Sequence, residues 1–262
     1  MEEATLITNQ LSLDLEAQVC LITGGAGGIG DAITNAFSEA RAKTAITYSA
    51  HRATAEALVQ NLQMKGRGAF ALPYDMRDYS QATTLVDQVV EKWGRLDILI
   101  ANAVHWPVLA QPSFTEGDFR AWTEAVNVNE YGTAAIIREA SKQMIKQKYG
   151  RVVIVSSEIA IRGRPGGTPY STAKAAIHGL VASLRWELGA HNILINLVAP
   201  GFTLTPRNLQ NFSDELREQA ASRAPTGHLS TPEDIAPTVV FLASPLNRNI
   251  TGEFIMVTGG AN

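Results

Sequence analysis

Apolar residues fall along this chain in short solid runs, separated by longer stretches in which they recur every three or four positions. Gln18-Val19-Cys20-Leu21-Ile22 is the first solid run, and Ala32, Ile33, Ala36, Phe37 and Ala40 form the first series at helical period. The alternation repeats down the chain, predicting strands over 18–22, 44–48, 69–73, 97–100, 151–155, 193–197 and 254–257. Helices are predicted between them, over about 52–65, 79–93, 118–147 and 232–243, with one more ending near Gly189. Strands apolar at every position must be buried on both faces, which a parallel sheet achieves when crossover helices cover both sides. Residues 1–16 show no period and are expected to form an extension, while 17–262 run without a linker and read as one domain.

Between the first strand and the first helix lies Thr23-Gly24-Gly25-Ala26-Gly27-Gly28-Ile29-Gly30. A helix N-terminus presents unpaired amides and positive dipole, and glycines let a pyrophosphate approach the backbone, so strand, glycine turn and helix together point to a nucleotide site. A bare turn also collects glycine; the placement favours the nucleotide. The fold expected is thus α/β, a single-domain Rossmann fold with a doubly wound parallel sheet of about seven strands and helices on both faces. Where a NAD-binding unit of this kind carries an acidic residue for the ribose 2′-hydroxyl, this chain has Tyr48, followed by Ser49, His51 and Arg52. The missing carboxylate and the cation suit a 2′-phosphate, so NADP(H) is favoured over NAD(H). Against this, position 27 holds no basic residue.

Asp75, Asn102, Ser157 and the 200–205 loop all follow strand ends and are expected at one edge of the sheet. Thr168 reads as a helix N-cap with Pro169 at the first position, and Ala173, Ala176, Ile177, Leu180, Val181 and Leu184 continue the helix. Tyr170 and Lys174 then share a face, as i,i+4 neighbours do. Bringing a phenol from a pKa of about 10 to near 7 takes roughly 4 kcal/mol. One ammonium at about 4 Å supplies that much at an effective dielectric near 20. Taken alone, Tyr-x-x-x-Lys is equally an aromatic at a helix start beside a solvated lysine.

Composition narrows the function. The chain's 45% apolar and 18% charged residues describe an ordinary globule, and a net charge of −3 gives no reason to expect a nucleic acid or an anionic membrane as partner. Cys20 is the single cysteine, which excludes an intrachain disulfide and a cysteine-based metal site; no metal is expected. The acidic start Met1-Glu2-Glu3, unlike a signal peptide, and the lack of a long apolar stretch make a cytoplasmic location the expectation.

Taken jointly, Thr23-Gly24-x-x-x-Gly28-x-Gly30, Asp75, Ser157 with Tyr170-x-x-x-Lys174, Pro200-Gly201 and Thr251-Gly252 make the chain, over about residues 15–260, resemble a short-chain dehydrogenase/reductase of the 3-oxoacyl-carrier-protein reductase-like type. The resemblance implies Tyr170 as general acid/base and Ser157 as hydrogen-bond donor to the substrate oxygen. It implies that Lys174 holds the nicotinamide ribose and lowers the tyrosine pKa. Asn129, rather than Asn127, would anchor a relay water, because Trp122 and Gly132 frame it in the family's spacing. By the same resemblance Thr23, Gly24, Gly28, Ile29 and Gly30 would cradle the cofactor, Asp75 and Met76 meet the adenine, and Asn102 and Ala103 line the adenosine side. Pro200, Gly201, Thr203 and Thr205 would lie along the nicotinamide.

Four positions depart from the family: Ala101 and Val104 in the segment after the fourth strand, Arg41 where a glycine closes the first helix, and Thr258 where an aspartate precedes Gly259-Gly260. Substrate recognition is expected from the segment around His105, Trp106 and Pro107, from Glu158 to Arg164, and from the 203–224 segment including Phe202 beside it. Glu158 suits an amine or hydroxyl, or is a solvated loop carboxylate; Trp106 stacks on a ring or packs in the core. The activity expected is NADPH-dependent reduction of a small-molecule ketone, free or carrier-bound. The alternatives are a NAD-dependent alcohol dehydrogenase and a cofactor-binding member without redox function. A homotetramer or homodimer is expected through the long central and following helices.

Overall fold

The computed structural model describes residues 13–106 and 113–261. Seven strands form one sheet: β1 (Val19–Ile22), β2 (Lys43–Tyr48), β3 (Ala69–Pro73), β4 (Ile98–Ala101), β5 (Gly150–Val155), β6 (Ile193–Pro200) and β7 (Phe254–Val257). Their order is β3-β2-β1-β4-β5-β6-β7, every neighbouring pair parallel. The chain winds outward from β1 to β3, then returns to place β4 on the other side of β1. That reversal opens a crevice at the carboxyl ends of β1 and β4.

Alternate strand residues enter opposite cores, as a two-residue period requires. Leu21 and Leu99 pack with Leu85, Ile136, Ala140 and Ile177, under α3 (Gln81–Trp93), α4 (Phe119–Gln147) and α6 (Thr168–Gly189). Cys20, Ile22, Ile98 and Ile100 pack with Ile33, Phe37, Val59 and Val239, under α1 (Ile29–Glu39), α2 (Arg52–Met64) and α9 (Pro232–Ala243). The single-domain Rossmann α/β fold expected from the alternating pattern is the fold observed. Among the described residues no helix is long and apolar enough to cross a membrane, and no cluster of metal-ligating side chains occurs.

The helix ends follow local chemistry. Asp118 caps α4 by accepting from the Arg120 amide at 2.8 Å, and Thr231 with Asp234 forms a capping box before Pro232. Thr168, read as the cap of α6, is instead its first helical residue; Gly167 is the cap, and the Thr168 hydroxyl accepts from Trp122 Nε1 at 3.1 Å. Three short helices were not predicted: α5 (Ile159–Arg162), α7 (Pro206–Asn211) and α8 (Asp214–Ala221). None of the three buries a residue, so no apolar period marks them.

Residues 1–12 of the expected extension lie outside the described residues, as does Pro107. The rest of the extension is packed down: Leu15 is buried and its amide donates to Ala40 O at 2.7 Å. Arg41 takes the left-handed conformation that the family's glycine would adopt, at φ 70°, and pairs with Asp14 and Glu16. Val104 does not stand at a positive φ, so its bulk costs the backbone nothing.

Candidate active site

The glycine turn leaves β1 and is stitched to the end of β4. Thr23 Oγ1 accepts from the amides of Asn102 and Ala103, each at 3.0 Å, and Asn102 Nδ2 donates to the carbonyls of Thr23 and Gly24, each at 3.1 Å. The Asn102 side chain thus ties the glycine turn to the end of β4. Gly24 and Gly28 stand at φ 65° and 49°, and a Cβ on Gly30 would lie 2.1 Å from Gly24 O. Only glycine permits this turn, and its backbone is open to a diphosphate where Ile29 begins α1.

A cleft beside the turn is lined by Gly24, Thr47, Tyr48, Ser49, Tyr74, Asp75, Met76, Ala103, Val104 and His105. It holds most of the residues expected on the adenosine side. Its one acidic member among the described residues, Asp75, is paired with Arg77 at 2.6 Å, which holds its carboxyl below the usual range; Arg52, outside the lining and exposed, is bonded to Glu56 at 2.8 Å. Beyond β6, Gly201 donates to Val257 O at 3.0 Å. Thr203 Oγ1 donates to Gly201 O at 3.0 Å, and Thr205 caps α7 by accepting from the Asn208 amide at 3.2 Å. Both threonine hydroxyls serve their own loop, although Thr205 also lies beside Gly28 across the crevice.

The hydroxyls of Ser157, after β5, and Tyr170, on the first turn of α6, share a hydrogen bond. Lys174 lies one turn on, buried, and its Nζ donates to Val155 O at 2.7 Å while standing 5.8 Å from the centre of the Tyr170 ring. Trp106 lies on that ring, with centroids 4.3 Å apart and planes at 27°.

These contacts change the electrostatics expected from spacing alone. Loss of water pushes Tyr170 up to about 12, opposed by the Ser157 hydrogen bond and the positive charge of Arg164. Burial pulls Lys174 down to about 8. The expected drop of Tyr170 toward 7 is not produced here, because the ammonium is drawn to the Val155 carbonyl and the phenol is desolvated.

Asn129 is buried on α4, whereas Asn127 is partly exposed. The Asn129 side chain grips the backbone of His105 from both sides: Oδ1 accepts from the His105 amide and Nδ2 donates to the His105 carbonyl, both at 2.9 Å. Its second amide proton goes to Ala125 O at 2.7 Å. Both protons of the side chain are thus taken by protein, which fixes the segment ahead of Trp106.

Of the residues expected to meet substrate, Glu158 is paired with Arg162 at 2.8 Å, with burial raising its carboxyl, and Phe202 stands edge-on to Phe212. Arg164 acts on Tyr170 through its charge. Three participants were not foreseen: His105 in the Asn129 grip, Arg162 on Glu158, and Arg207, whose guanidinium carbon lies 4.9 Å from the Trp106 ring centre. His105 was named only as a variable position; Arg207 left no sequence signal, because it sits on a helix without an apolar stripe.

The family model described as enoyl-(acyl carrier protein) reductase matches residues 24–262. A 3-oxoacyl-[acyl-carrier-protein] reductase of Thermotoga maritima is 37% identical over 248 residues, covering 94% of this chain and 98% of its own. An L-rhamnose 1-dehydrogenase (NAD(P)(+)) of a Sphingomonas species is 34% identical, covering 94% of this chain and 96% of its own. Among solved structures, a 7α-hydroxysteroid dehydrogenase complexed with NADH and 7-oxoglycochenodeoxycholic acid superposes with a TM-score of 0.88 at 28% identity, covering 95% of this chain and 96% of that one. With the glycine turn, the seven-stranded order and the Ser157, Tyr170 and Lys174 constellation already in place, these matches over nearly the whole chain show that it belongs to the short-chain dehydrogenase/reductase family.

Proposed function

We propose that this protein reduces a ketone to a secondary alcohol with NADPH, through Ser157, Tyr170 and Lys174. The observation that carries the reading is the meeting of the Ser157 and Tyr170 hydroxyls at the carboxyl edge of the sheet. Two hydroxyls aimed at one point supply the hydrogen bonds that a carbonyl oxygen needs as it gains negative charge. The glycine turn fits a dinucleotide, and a bound nicotinamide supplies the hydride. Tyr170 then donates the proton to the alkoxide oxygen while Ser157 keeps that oxygen in place. A phenol raised to about 12 is fully protonated at neutral pH, which is the form reduction uses. Lys174 lends positive charge beneath it, and Asn129 acts as a positioning residue through its grip on His105.

NADPH is favoured because the end of β2 offers Tyr48, Ser49 and Arg52 and no carboxylate. The Arg52–Glu56 pair is exposed and screened by solvent, so it yields readily to a phosphate. That pair is also the observation favouring the alternative, a NAD-dependent alcohol dehydrogenase. The 3-oxoacyl reductases among the relatives make a carrier-bound 3-oxo compound one natural substrate and an oxo group on a free small molecule the other. The family model's enoyl chemistry fits less well, because two hydroxyls on one oxygen serve a carbonyl. Assembly into a dimer or tetramer accompanies this reading, supported by Tyr131 on α4 and Trp186 on α6, which are 53% and 78% exposed.

Tyr170→Phe tests the chemistry. Carbonyl reduction is expected to fall at least 100-fold while cofactor affinity stays within a few-fold; unchanged turnover sinks the mechanism. Fluorescence titration with NADPH and NADH tests the cofactor, and tighter NADH binding sinks that half of the proposal.

A further inference from the structure

Trp106 links two groups that lie far apart in sequence. Its indole stacks on the Tyr170 ring at 4.3 Å and carries the Arg207 guanidinium at 4.9 Å. Placed end to end, these spacings put the guanidinium no more than about 9 Å from the centre of the tyrosine ring. Trp106 is held there by the backbone of the residue before it, through the Asn129 grip on His105.

Arg207 lies on α7, which buries none of its residues, and it has no carboxylate partner among the described residues. Partial loss of water lowers its pKa without an anion to offset the effect. Cations gather around it: Lys174 is buried beneath Tyr170, Arg164 acts on the phenol, and the nearby carboxylates of the described residues are engaged, Glu158 by Arg162 at 2.8 Å and Glu124 against His105 at 3.4 Å. A guanidinium that faces only an aromatic ring, in such a field, gains by exchanging that ring for a carboxylate. Charge-assisted bidentate bonds are stronger than a cation–π contact at an exposed position.

We propose that Arg207 and Trp106 are specificity-determining residues and that the site prefers an oxo acid. The ketone oxygen meets Ser157 and Tyr170, and a carboxylate on the same small molecule, within about 9 Å of the Tyr170 ring, draws Arg207 off Trp106. The proposal rests on the ketoreductase reading and narrows its substrate class. The short reach selects a carboxylate a few bonds from the carbonyl, not an anion at the far end of a carrier arm.

The test compares matched acids and esters: 4-oxocyclohexanecarboxylate and 4-oxopentanoate, each with its methyl ester, reduced with NADPH by wild type, Arg207→Gln, Arg207→Lys and Trp106→Phe. Wild type is expected to favour each acid by about 10- to 100-fold in kcat/KM, chiefly through KM. Arg207→Gln brings the ratio near one, and Arg207→Lys restores part of it. Independently of turnover, the acid titrated into enzyme carrying oxidised cofactor changes tryptophan emission in wild type and not in Trp106→Phe. Equal use of acid and ester by wild type, or an unchanged ratio in Arg207→Gln, overturns the proposal. Reduction of uncharged ketones alone overturns it too while leaving the ketoreductase reading intact, and turnover that survives Tyr170→Phe refutes that reading instead.

Discussion

Lys174 offers a measurement in which the magnitude follows from one number. Burial moves its pKa from 10.5 down to about 8, so the folded protein carries this charge at a cost at neutral pH. As pH rises through 8 the folded state sheds the proton, while the unfolded chain holds it until about 10.5. Over that window the unfolded state binds more protons, and the stability of the wild type must rise with pH on this account. Integrating between pH 7 and 10 gives roughly 2–3 kcal/mol. Lys174→Met keeps an unbranched stem in the same channel and removes the titration. Losing the hydrogen bond to Val155 O and changing side-chain volume alter the variant's stability by an amount that barely depends on pH, and other titrating groups are common to both proteins. The pH dependence of the difference therefore isolates Lys174. Urea unfolding of both proteins at a fixed concentration, at half-unit steps from pH 7 to 10, is the assay. The wild type is expected to gain on the variant by roughly 2–3 kcal/mol, with most of the gain above pH 8. Profiles that stay parallel to within about 0.5 kcal/mol refute the buried-ammonium argument.

The same titration is expected to shape activity: kcat/KM for ketone reduction is flat below about pH 7 and falls with the loss of one proton above about pH 8, a limb checked by steady-state rates in overlapping buffers. Asn129→Ala removes three hydrogen bonds, a buried one to Ala125 and two partly buried ones to His105, and is expected to cost about 2–3 kcal/mol in unfolding experiments. Because that grip precedes Trp106, the variant should also lose protection of the His105 amide against hydrogen exchange and change tryptophan emission, which a general loss of packing on α4 would not do selectively.

Much of the fold was legible because its signals are local. Val19 to Ile22 and Ile98 to Ala101 are apolar at every position since both faces of the sheet are covered, and the starts of α4 and α9 are held by Asp118 and by Thr231 with Asp234, through hydrogen bonds that reach only two or three residues. The pairing of Tyr170 with Lys174 was legible for the same reason, being one turn of a helix. Thr168 was misread because its hydroxyl answers to Trp122, 46 residues away, rather than to its own helix. The short helices α5, α7 and α8 escaped notice because they bury nothing, and period is visible only where a face is hidden.

The chemistry of the site divides along the same line. Spacing places Lys174 near Tyr170, but its ammonium donates to the Val155 carbonyl, and an indole from another strand end stacks on the phenol ring. Burial opposes the predicted shift, pushing Tyr170 up and pulling Lys174 down. The grip of Asn129 belongs in the same account, since it fixes His105 and through it the position of Trp106. The segment following β4 thus places one indole between the Tyr170 ring and the Arg207 guanidinium, two groups that the helical spacing of α6 alone does not connect.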